Sequence, residues 1–248
     1  MACLPRVRRI RAAISLLTAI VLPGVLAACM STGAAEFADD RRPAAPVDPA
    51  IVAMYGPIQD GPFLIPAVDV RRVEPEYFRQ TVPVPPDIPN QPGAVVVDPG
   101  HKFLYLVLAQ GQAIRYGIGV GREGFAWSGT AAVKSKQEWP KWFPPADMMA
   151  RDPRAAPWVN GMPGGLDNPL GARALYLWQG DKDTLFRIHG TNEPWSIGHA
   201  VSSGCIRMFN QDVLDLYNRV PEGTKVTVLT AGPTISEIQA PGASSSRS

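Results

Sequence analysis

Residues 187–210 form the segment RIHGTNEPWSIGHAVSSGCIRMFN, and the predicted fold is built outward from it. The residues leading into it, Thr184–His189, have the apolar and β-branched character of a short strand ending at His189. After it, apolar residues recur with a spacing near 3.6, which predicts a helix with Asn210 as its N-cap. The residues predicted to be buried on that helix are Val213, Leu214, Tyr217 and Val220. The segment therefore predicts a strand, a loop that carries Cys205, and a helix.

Short apolar segments alternate with Gly- and Pro-rich turns on both sides of this segment. The predicted strands are Ala94–Asp98, Lys102–Ala109, Ala113–Val120, Thr130–Lys136, Ala174–Trp178, Thr184–His189 and Lys225–Leu229. Residues 137–171 are rich in Trp, Pro and Gly, and they predict a long irregular loop. The fold class is therefore predicted to be mostly β, with one main helix directly after the cysteine segment.

The N-terminus has the layout of a secretory signal. A basic stretch up to Arg11 precedes an apolar run that is interrupted by Pro23-Gly24 and ends in Leu26-Ala27-Ala28-Cys29. The run is shorter than the roughly 20 residues that a spanning helix needs. Its end resembles the lipobox of bacterial lipoproteins, which predicts removal of residues 1–28 and lipidation of Cys29, enough for stable anchoring. The alternative is ordinary cleavage near Ala28, which leaves a soluble secreted protein.

The predicted location is the periplasm, with a lipid anchor in the membrane. Met30 follows the lipidated position, and the absence of Asp there favours the outer membrane. Residues 29–50 lack periodicity and predict a disordered tether, and residues 231–248 predict a disordered tail. Residues 51–92 combine many prolines with aromatic residues, so we expect an extension packed on the domain with little regular structure. The folded domain is expected over residues 93–230.

Composition narrows the classes of function. A chain of 248 residues with 46% hydrophobic residues has room for one domain plus tails, and a net charge of +2 gives no support for a nucleic-acid partner. Three scattered histidines offer no ligand spacing for a metal. If Cys3 is removed with the signal and Cys29 carries lipid, Cys205 is left without a disulfide partner in an oxidising compartment.

The region around Cys205 has the residues that thiol chemistry requires. A thiol attacks only as a thiolate, so its pKa must fall or a base must take the proton, and His189 is the candidate base. Gly204 permits a close approach of the backbone to a substrate, and the amides of Ser203, Gly204 and Cys205 are candidate oxyanion-hole donors. Arg207 is a candidate ligand for a carboxylate. From these residues alone, a buried and inert cysteine remains the alternative.

The run from His189 to Met208 resembles the signature of the L,D-transpeptidases, the YkuD-type catalytic domain. That signature has a His-Gly start and, about sixteen residues later, Ser-X-Gly-Cys-X-Arg. The similarity extends to Val95–Asp98 and Asn168–Gly171, and it covers about residues 93–230. It implies a β-sandwich or barrel of mixed sheets. Many relatives have histidine directly before Gly-Cys, whereas this chain has Ser203, so any assistance from a second imidazole is absent.

The resemblance implies that Cys205 is the nucleophile, that His189 is the base and then the acid, and that the carbonyl of Gly190 orients the imidazole. Arg207 becomes a candidate substrate ligand, and so do Asn192, Trp195 and Ser202. Aromatic residues that either line a substrate groove or belong to the core are Trp139, Trp142 and Tyr176. No cofactor is implied.

The implied reaction is 3→3 cross-linking of peptidoglycan by acyl transfer from a tetrapeptide donor, with release of D-alanine and with carbapenems as inhibitors. The implied partners are donor and acceptor stem peptides. Three alternatives stay open: an L,D-carboxypeptidase or endopeptidase that uses water, an enzyme that attaches an envelope protein to the wall, and a wall-binding lipoprotein without activity.

Overall fold

The computed structural model describes residues 47–121, 127–151, 153–202 and 204–230. All of these residues belong to one compact unit. The α-helices in this part of the chain are α1 (Pro49–Met54), α2 (Ala146–Arg151) and α3 (Asn210–Arg219). Single turns of 3-10 helix occur at Val70–Arg72, Pro75–Tyr77, Ala109–Gly111 and Pro194–Ser196, and a longer one spans Pro153–Trp158. No helix among the described residues is long and apolar enough to cross a membrane.

Strands dominate the described residues, so the mostly β prediction is confirmed. They are β1 (Ile58–Asp60), β2 (Phe63–Ile65), β3 (Gln80–Pro83), β4 (Val95–Asp98), β5 (Phe103–Val107), β6 (Gln112–Gly117), β7 (Val120–Gly121), β8 (Gly129–Glu138), β9 (Arg173–Gln179), β10 (Lys182–His189), β11 (Ala200–Ser202), β12 (Ile206–Arg207) and β13 (Lys225–Val228).

Nine strands form one mixed sheet in the order β12-β10-β9-β8-β13-β4-β5-β6-β3. Two pairs are parallel, β10 with β12 and β13 with β4, and the remaining neighbours are antiparallel. The parallel pair β10–β12 lies at one end of this order and brings the predicted strand of His189 beside the residues that follow Cys205. The sheet therefore joins two segments that the sequence separates by a loop.

The residues through which helix α3 packs against the core are partly different from those that the sequence predicted. Val213, Leu216 and Val220 are fully buried in the main apolar cluster, whereas Leu214 and Tyr217 are only partly buried. Leu216 was missed. The predicted N-cap is also wrong: the N-cap is Phe209 without a side-chain bond, and Asn210 is the first helical residue. The side chain of Asn210 is used elsewhere, as described below.

The expectation of little regular structure over residues 51–92 is wrong. This segment contains most of α1, the hairpin β1–β2, and β3, which pairs with β6 at one edge of the large sheet. Pro83 ends β3 on that edge, where a missing N–H donor costs no ladder hydrogen bond. Since β3 belongs to the sheet, the folded unit begins before residue 93. Helix α1 begins at Pro49, so the predicted tether, 29–50, overlaps the helix by two residues.

The segment 51–92 is attached to the domain by a buried cluster around Tyr55. Tyr55 and Phe78 pack with Phe209, which directly precedes α3, with ring centroids 5.1 and 5.4 Å from Tyr55. The Tyr55 hydroxyl donates to Asp212 on α3, which is fully buried. This part of the chain is therefore integrated with the element that follows the cysteine segment.

Candidate active site

The parallel register of β10 and β12 sets the geometry around Cys205. Ile188 pairs with Ile206, and His189 pairs with Arg207. Paired residues of parallel strands face the same side, and successive residues alternate between sides. Since Arg187 precedes Ile188 and Cys205 precedes Ile206, one face of the sheet presents Arg187 and His189 on β10, next to Cys205 and Arg207. The structure thus brings together the predicted nucleophile and the predicted base.

His189 is a buried imidazole that stays neutral at physiological pH. It is 4% exposed, and its Nδ1 lies 2.5 Å from the carbonyl oxygen of Gly190. A carbonyl only accepts, so Nδ1 carries the proton and Nε2 keeps its lone pair. Burial lowers the pKa of His189 to about 4, and the charges of Arg207 and Arg187 act in the same direction against the Gly190 hydrogen bond. A neutral imidazole at pH 7 is a competent proton acceptor.

Cys205 is a protonated thiol in the resting site. Burial raises its pKa, while a backbone hydrogen bond from Arg187 and the positive charges of Arg187 and Arg207 oppose that rise. The pair therefore rests as neutral thiol and neutral imidazole, so a thiolate at Cys205 requires that its proton move to a base. The prediction that Cys205 needs such a base agrees with this electrostatic environment.

Gly190 orients His189 from a crowded turn. A Cβ on Gly190 would overlap the Oδ1 atom of Asn210, and Gly171 packs against the same oxygen with φ +62. The Asn210 side chain accepts from the amide of Ala172 at 2.9 Å and donates to the carbonyl of Thr191 at 2.9 Å. Asn210 therefore holds the start of β9 and the loop after β10 together. This cross-link between distant segments takes the place of the predicted helix cap.

A pocket of about 460 Å³ opens over this face of the sheet and contains His189 and Cys205 in its lining. The segment between β8 and β9 supplies its apolar wall, through Trp142, Met148, Trp158 and Met162. This segment contains α2 and the longest 3-10 helix, so the expectation of a wholly irregular loop over 137–171 is wrong. Of the three aromatic residues weighed from the sequence, only Trp142 lines the pocket.

Charged and amide side chains also line the pocket. Arg207 lies in the lining and binds Glu193 at 2.6 Å, so the predicted carboxylate ligand already has an acidic partner. Asn192 also lines the pocket, and its Nδ2 atom donates to the backbone carbonyl of Asp167 at 2.9 Å. Arg207 and Asn192 therefore lie in the same pocket lining as Cys205, and their roles as substrate ligands stay predictions.

Other predicted residues lie elsewhere or outside the described part. Trp195 is 62% exposed and does not line the pocket. Ser202 is the last residue of β11, and Ser203 lies outside the described residues, as does Cys29. Gly204 has φ +127, a conformation that favours glycine, directly before the predicted nucleophile Cys205. The oxyanion hole formed by Ser203, Gly204 and Cys205 stays a prediction.

Arg187 is the residue beside Cys205 that the sequence interpretation missed. The alternation of side chains along β10 could have identified it, because residues 187 and 189 must face the same side. The other two aromatic candidates lie outside the pocket lining. Tyr176 lies under the Arg187 guanidinium, and Trp139 packs on Phe63 and donates to Asp60. Among the described residues, no group of three His, Cys, Asp or Glu side chains is placed to hold a metal ion.

Comparison with known proteins identifies this domain. The family model described as the YkuD L,D-transpeptidase catalytic domain matches residues 92–228, more than half of the chain. The probable L,D-transpeptidase YbiS of Escherichia coli (strain K12) is 37% identical over 140 residues, which are 54% of this chain and 43% of that protein. The putative L,D-transpeptidase YkuD of Bacillus subtilis (strain 168) is 52% identical over 61 residues, 25% of this chain and 37% of that protein.

A crystal structure from Brucella melitensis, described as a probable carnitine operon oxidoreductase, is 49% identical and covers 63% of this chain and 96% of its own, with a TM-score of 0.44. A TM-score of that size supports no conclusion about fold or activity. The chain spans less than half the length of the curated relatives named above. The match of the family model covers the strand of His189, the segment of Cys205 and all of α3. The chain therefore belongs to the L,D-transpeptidase family, through its YkuD catalytic domain.

Proposed function

We propose that this protein is a cysteine-dependent L,D-transpeptidase that forms 3→3 cross-links between peptidoglycan stem peptides. The observation that carries the proposal is the placement of Cys205 and His189 on one face of the sheet, in the lining of one pocket. His189 is neutral and its Nε2 is unprotonated, so the pair has the protonation states that general-base activation of a thiol requires.

In the first half-reaction, the proton of Cys205 moves to Nε2 of His189 as the sulfur attacks the carbonyl carbon of the third residue of a tetrapeptide donor. The C–N bond to the terminal D-alanine then breaks, and its nitrogen takes the proton from His189. The acyl group remains on Cys205 as a thioester. Gly190 holds the imidazole through Nδ1 during both proton transfers.

In the second half-reaction, the side-chain amine of the third residue of another stem attacks the thioester. The amine gives its proton to His189, the C–S bond breaks, and the sulfur recovers a proton. Hydrolysis of the thioester or transfer to an envelope protein would give different products in the test below.

Purified full-length protein incubated with disaccharide tetrapeptide tests the proposal, with products resolved by mass. We expect a cross-linked dimer that has lost one D-alanine, and no product from Cys205→Ala or His189→Ala. His101→Ala is the matched control: His101 pairs with Asp98 at 2.6 Å, its side chain is 72% exposed, and it is outside the pocket that contains Cys205. Formation of tripeptide without any dimer would indicate an L,D-carboxypeptidase instead of a transpeptidase. Turnover by Cys205→Ala would refute the whole assignment.

The proposed thiolate of Cys205 should also react with carbapenem inhibitors. We expect a carbapenem to acylate Cys205, because its strained carbonyl is attacked by the same thiolate. The adduct is measured as a mass increase of the intact protein, and Cys205→Ala is expected to show none. An unmodified parent protein after prolonged incubation would contradict this expectation.

We also propose that the protein is exported and held at the periplasmic side of a membrane by lipid on Cys29. The support is the basic and apolar N-terminus that ends in Leu26-Ala27-Ala28-Cys29. Membrane and soluble fractions of cells producing the parent or Cys29→Ala test this proposal. We expect the parent in the membrane fraction and the variant in the soluble fraction, and unchanged membrane association of the variant would contradict lipidation at this residue.

A further inference from the structure

Arg187 lies between Tyr176 on the neighbouring strand β9 and Cys205, the residue directly before β12. It pairs with Tyr176 on β9, and its guanidinium lies 4.4 Å from the centre of the Tyr176 ring. On the other side, the backbone of Arg187 hydrogen-bonds to the Cys205 thiol. The sulfur is therefore in direct contact with the residue that carries this guanidinium.

Asp183 fixes the Arg187 guanidinium through a bidentate ion pair. Both nitrogen–oxygen distances are 2.7 Å, and the arginine side chain is only 16% exposed. The guanidinium also donates to the backbone carbonyl of Phe186 at 2.9 Å. Three hydrogen bonds therefore hold the Arg187 guanidinium in one position, and the bidentate pair adds geometric specificity to this arrangement.

A bulge in β10 makes this ion pair possible. Residues four apart in a regular strand are separated by about 13 Å, too far for a direct pair. Here the register of β10 against β9 shifts between Asp183 and Arg187, and Leu185 has φ +63 with 76% of its surface exposed. The Asp183 carboxylate also accepts from the amide of Leu185 at 2.9 Å, which stabilises the bulge. An exposed leucine in a strained conformation is the cost of bringing Asp183 to Arg187.

The charged groups near the sulfur are few and have defined partners. Arg207 faces the same pocket and is paired with Glu193, and His189 is neutral. Tyr176 donates its hydroxyl to Gln137 at 3.0 Å. Asp167 also lines the pocket. Burial raises the pKa of Cys205, and the positive charge of Arg187 acts against that rise. A negative charge that develops on the sulfur therefore meets a guanidinium whose own charge is partly balanced by Asp183.

We propose that Arg187 is a positioning residue for the nucleophile, and that the Asp183–Arg187 pair sets how readily the Cys205 thiolate forms. Removing the guanidinium withdraws the positive charge and leaves Asp183 unbalanced, so the thiolate becomes less favourable. Removing the charge of Asp183 leaves the guanidinium uncompensated, so the thiolate becomes more favourable. The inference rests on the proposed role of Cys205 as nucleophile.

The test measures alkylation of Cys205 by iodoacetamide across pH in the full-length chain, with the modified peptide quantified by mass spectrometry. This readout needs no cell-wall substrate, so it can fail while transpeptidation succeeds, and the reverse. For Arg187→Gln we expect the pH midpoint to rise and the rate at pH 7 to fall by about threefold or more. For Asp183→Asn we expect the midpoint to fall and the rate to rise. Arg187→Lys is expected to restore most of the parent rate.

Arg219→Gln is the matched control, because Arg219 also forms a bidentate pair with an aspartate four residues before it, on α3. We expect it to match the parent at every pH. The proposal is overturned if Arg187→Gln and Arg219→Gln have the same pH midpoint, or if Asp183→Asn moves the midpoint upward. Should Arg187→Gln fail to fold, Asp183→Asn decides the question: a lower pH midpoint supports the proposal, and an unchanged or higher midpoint overturns it.

Discussion

Tyr55→Phe is expected to destabilise the whole folded unit, although Tyr55 is far in sequence from the cysteine segment. The Tyr55 hydroxyl donates to the two oxygens of Asp212 at 3.0 Å each and accepts from the backbone amide of Arg79 at 2.6 Å. Burial beside Asp212 raises the pKa of Tyr55, so the hydroxyl remains a donor. The substitution removes one oxygen atom and leaves the surrounding apolar contacts in place.

The magnitude follows from the partners that lose a hydrogen bond. Tyr55 and Asp212 are fully buried, so water cannot replace the hydroxyl without a rearrangement. A hydrogen bond to a charged group contributes about 1.5–3 kcal/mol, and an unsatisfied buried N–H adds about 1 kcal/mol or more. We therefore expect a loss of about 3 kcal/mol in the free energy of unfolding. That is a large part of the stability of a domain this size, which is about 5–15 kcal/mol.

Urea unfolding at pH 8, followed by circular dichroism and tryptophan fluorescence, measures this loss. Tyr217→Phe is the matched control, since the Tyr217 hydroxyl has no hydrogen bond to any described residue and its ring keeps the contact with Lys136 at 4.1 Å. We expect the control to change stability by less than about 0.5 kcal/mol. Equal losses for the two variants would refute the claim that the Tyr55–Asp212 hydrogen bonds tie residues 51–92 to α3. A double-mutant cycle with Asp212→Asn isolates the coupling.

Three further outcomes are expected. Because the pKa of His189 is about 4, kcat/KM for wall peptide should fall only below about pH 4, and an acid limb near pH 6.5 in the pH–rate profile would contradict a buried neutral base. Gly190→Ala should abolish activity and lower the free energy of unfolding in urea by about 2 kcal/mol or more, since a Cβ there meets Asn210. Gly165→Ala is the control and should be close to the parent, because its Cβ would have only one ring atom nearby, at 3.8 Å. Burial raises the pKa of Asp212 from 3.8 to about 7, so the folded state holds this proton more tightly than the unfolded state. The stability that results is complete below pH 3.8 and is lost as the pH rises through about 7. The loss in the free energy of unfolding is roughly 4 kcal/mol, at about 1.4 kcal/mol per pH unit. Asp212→Asn should flatten that dependence between pH 5 and pH 8, and an unchanged slope would place its origin elsewhere.

Local patterns in the sequence determined seven of the nine strands of the large sheet, all except β3 and β12, together with helix α3 and the candidate pair of Cys205 and His189. Strand and helix periodicities are properties of neighbouring residues, so they can be recognised without the fold. Cys205 and the His-Gly start are likewise visible as residue types at a fixed spacing. The regular structure in residues 51–92 escaped prediction because prolines mask short strands whose partners lie far along the chain.

Tertiary structure decided the features that depend on contacts between distant segments. Asn210 lies where a helix cap is expected, yet its side chain bonds to Ala172 and Thr191, because the turn after His189 offers buried polar groups that need partners. The apolar wall of the pocket comes from residues 137–171, whose composition predicted an irregular loop, and only Trp142 of that wall was a candidate from the sequence. Asp183 and Arg187 could be paired only once the bulge in β10 was known, since regular strand geometry keeps such residues apart. The sequence therefore singled out Cys205 as the candidate nucleophile, and the packing of the chain decided what surrounds it, because charge and burial act through space.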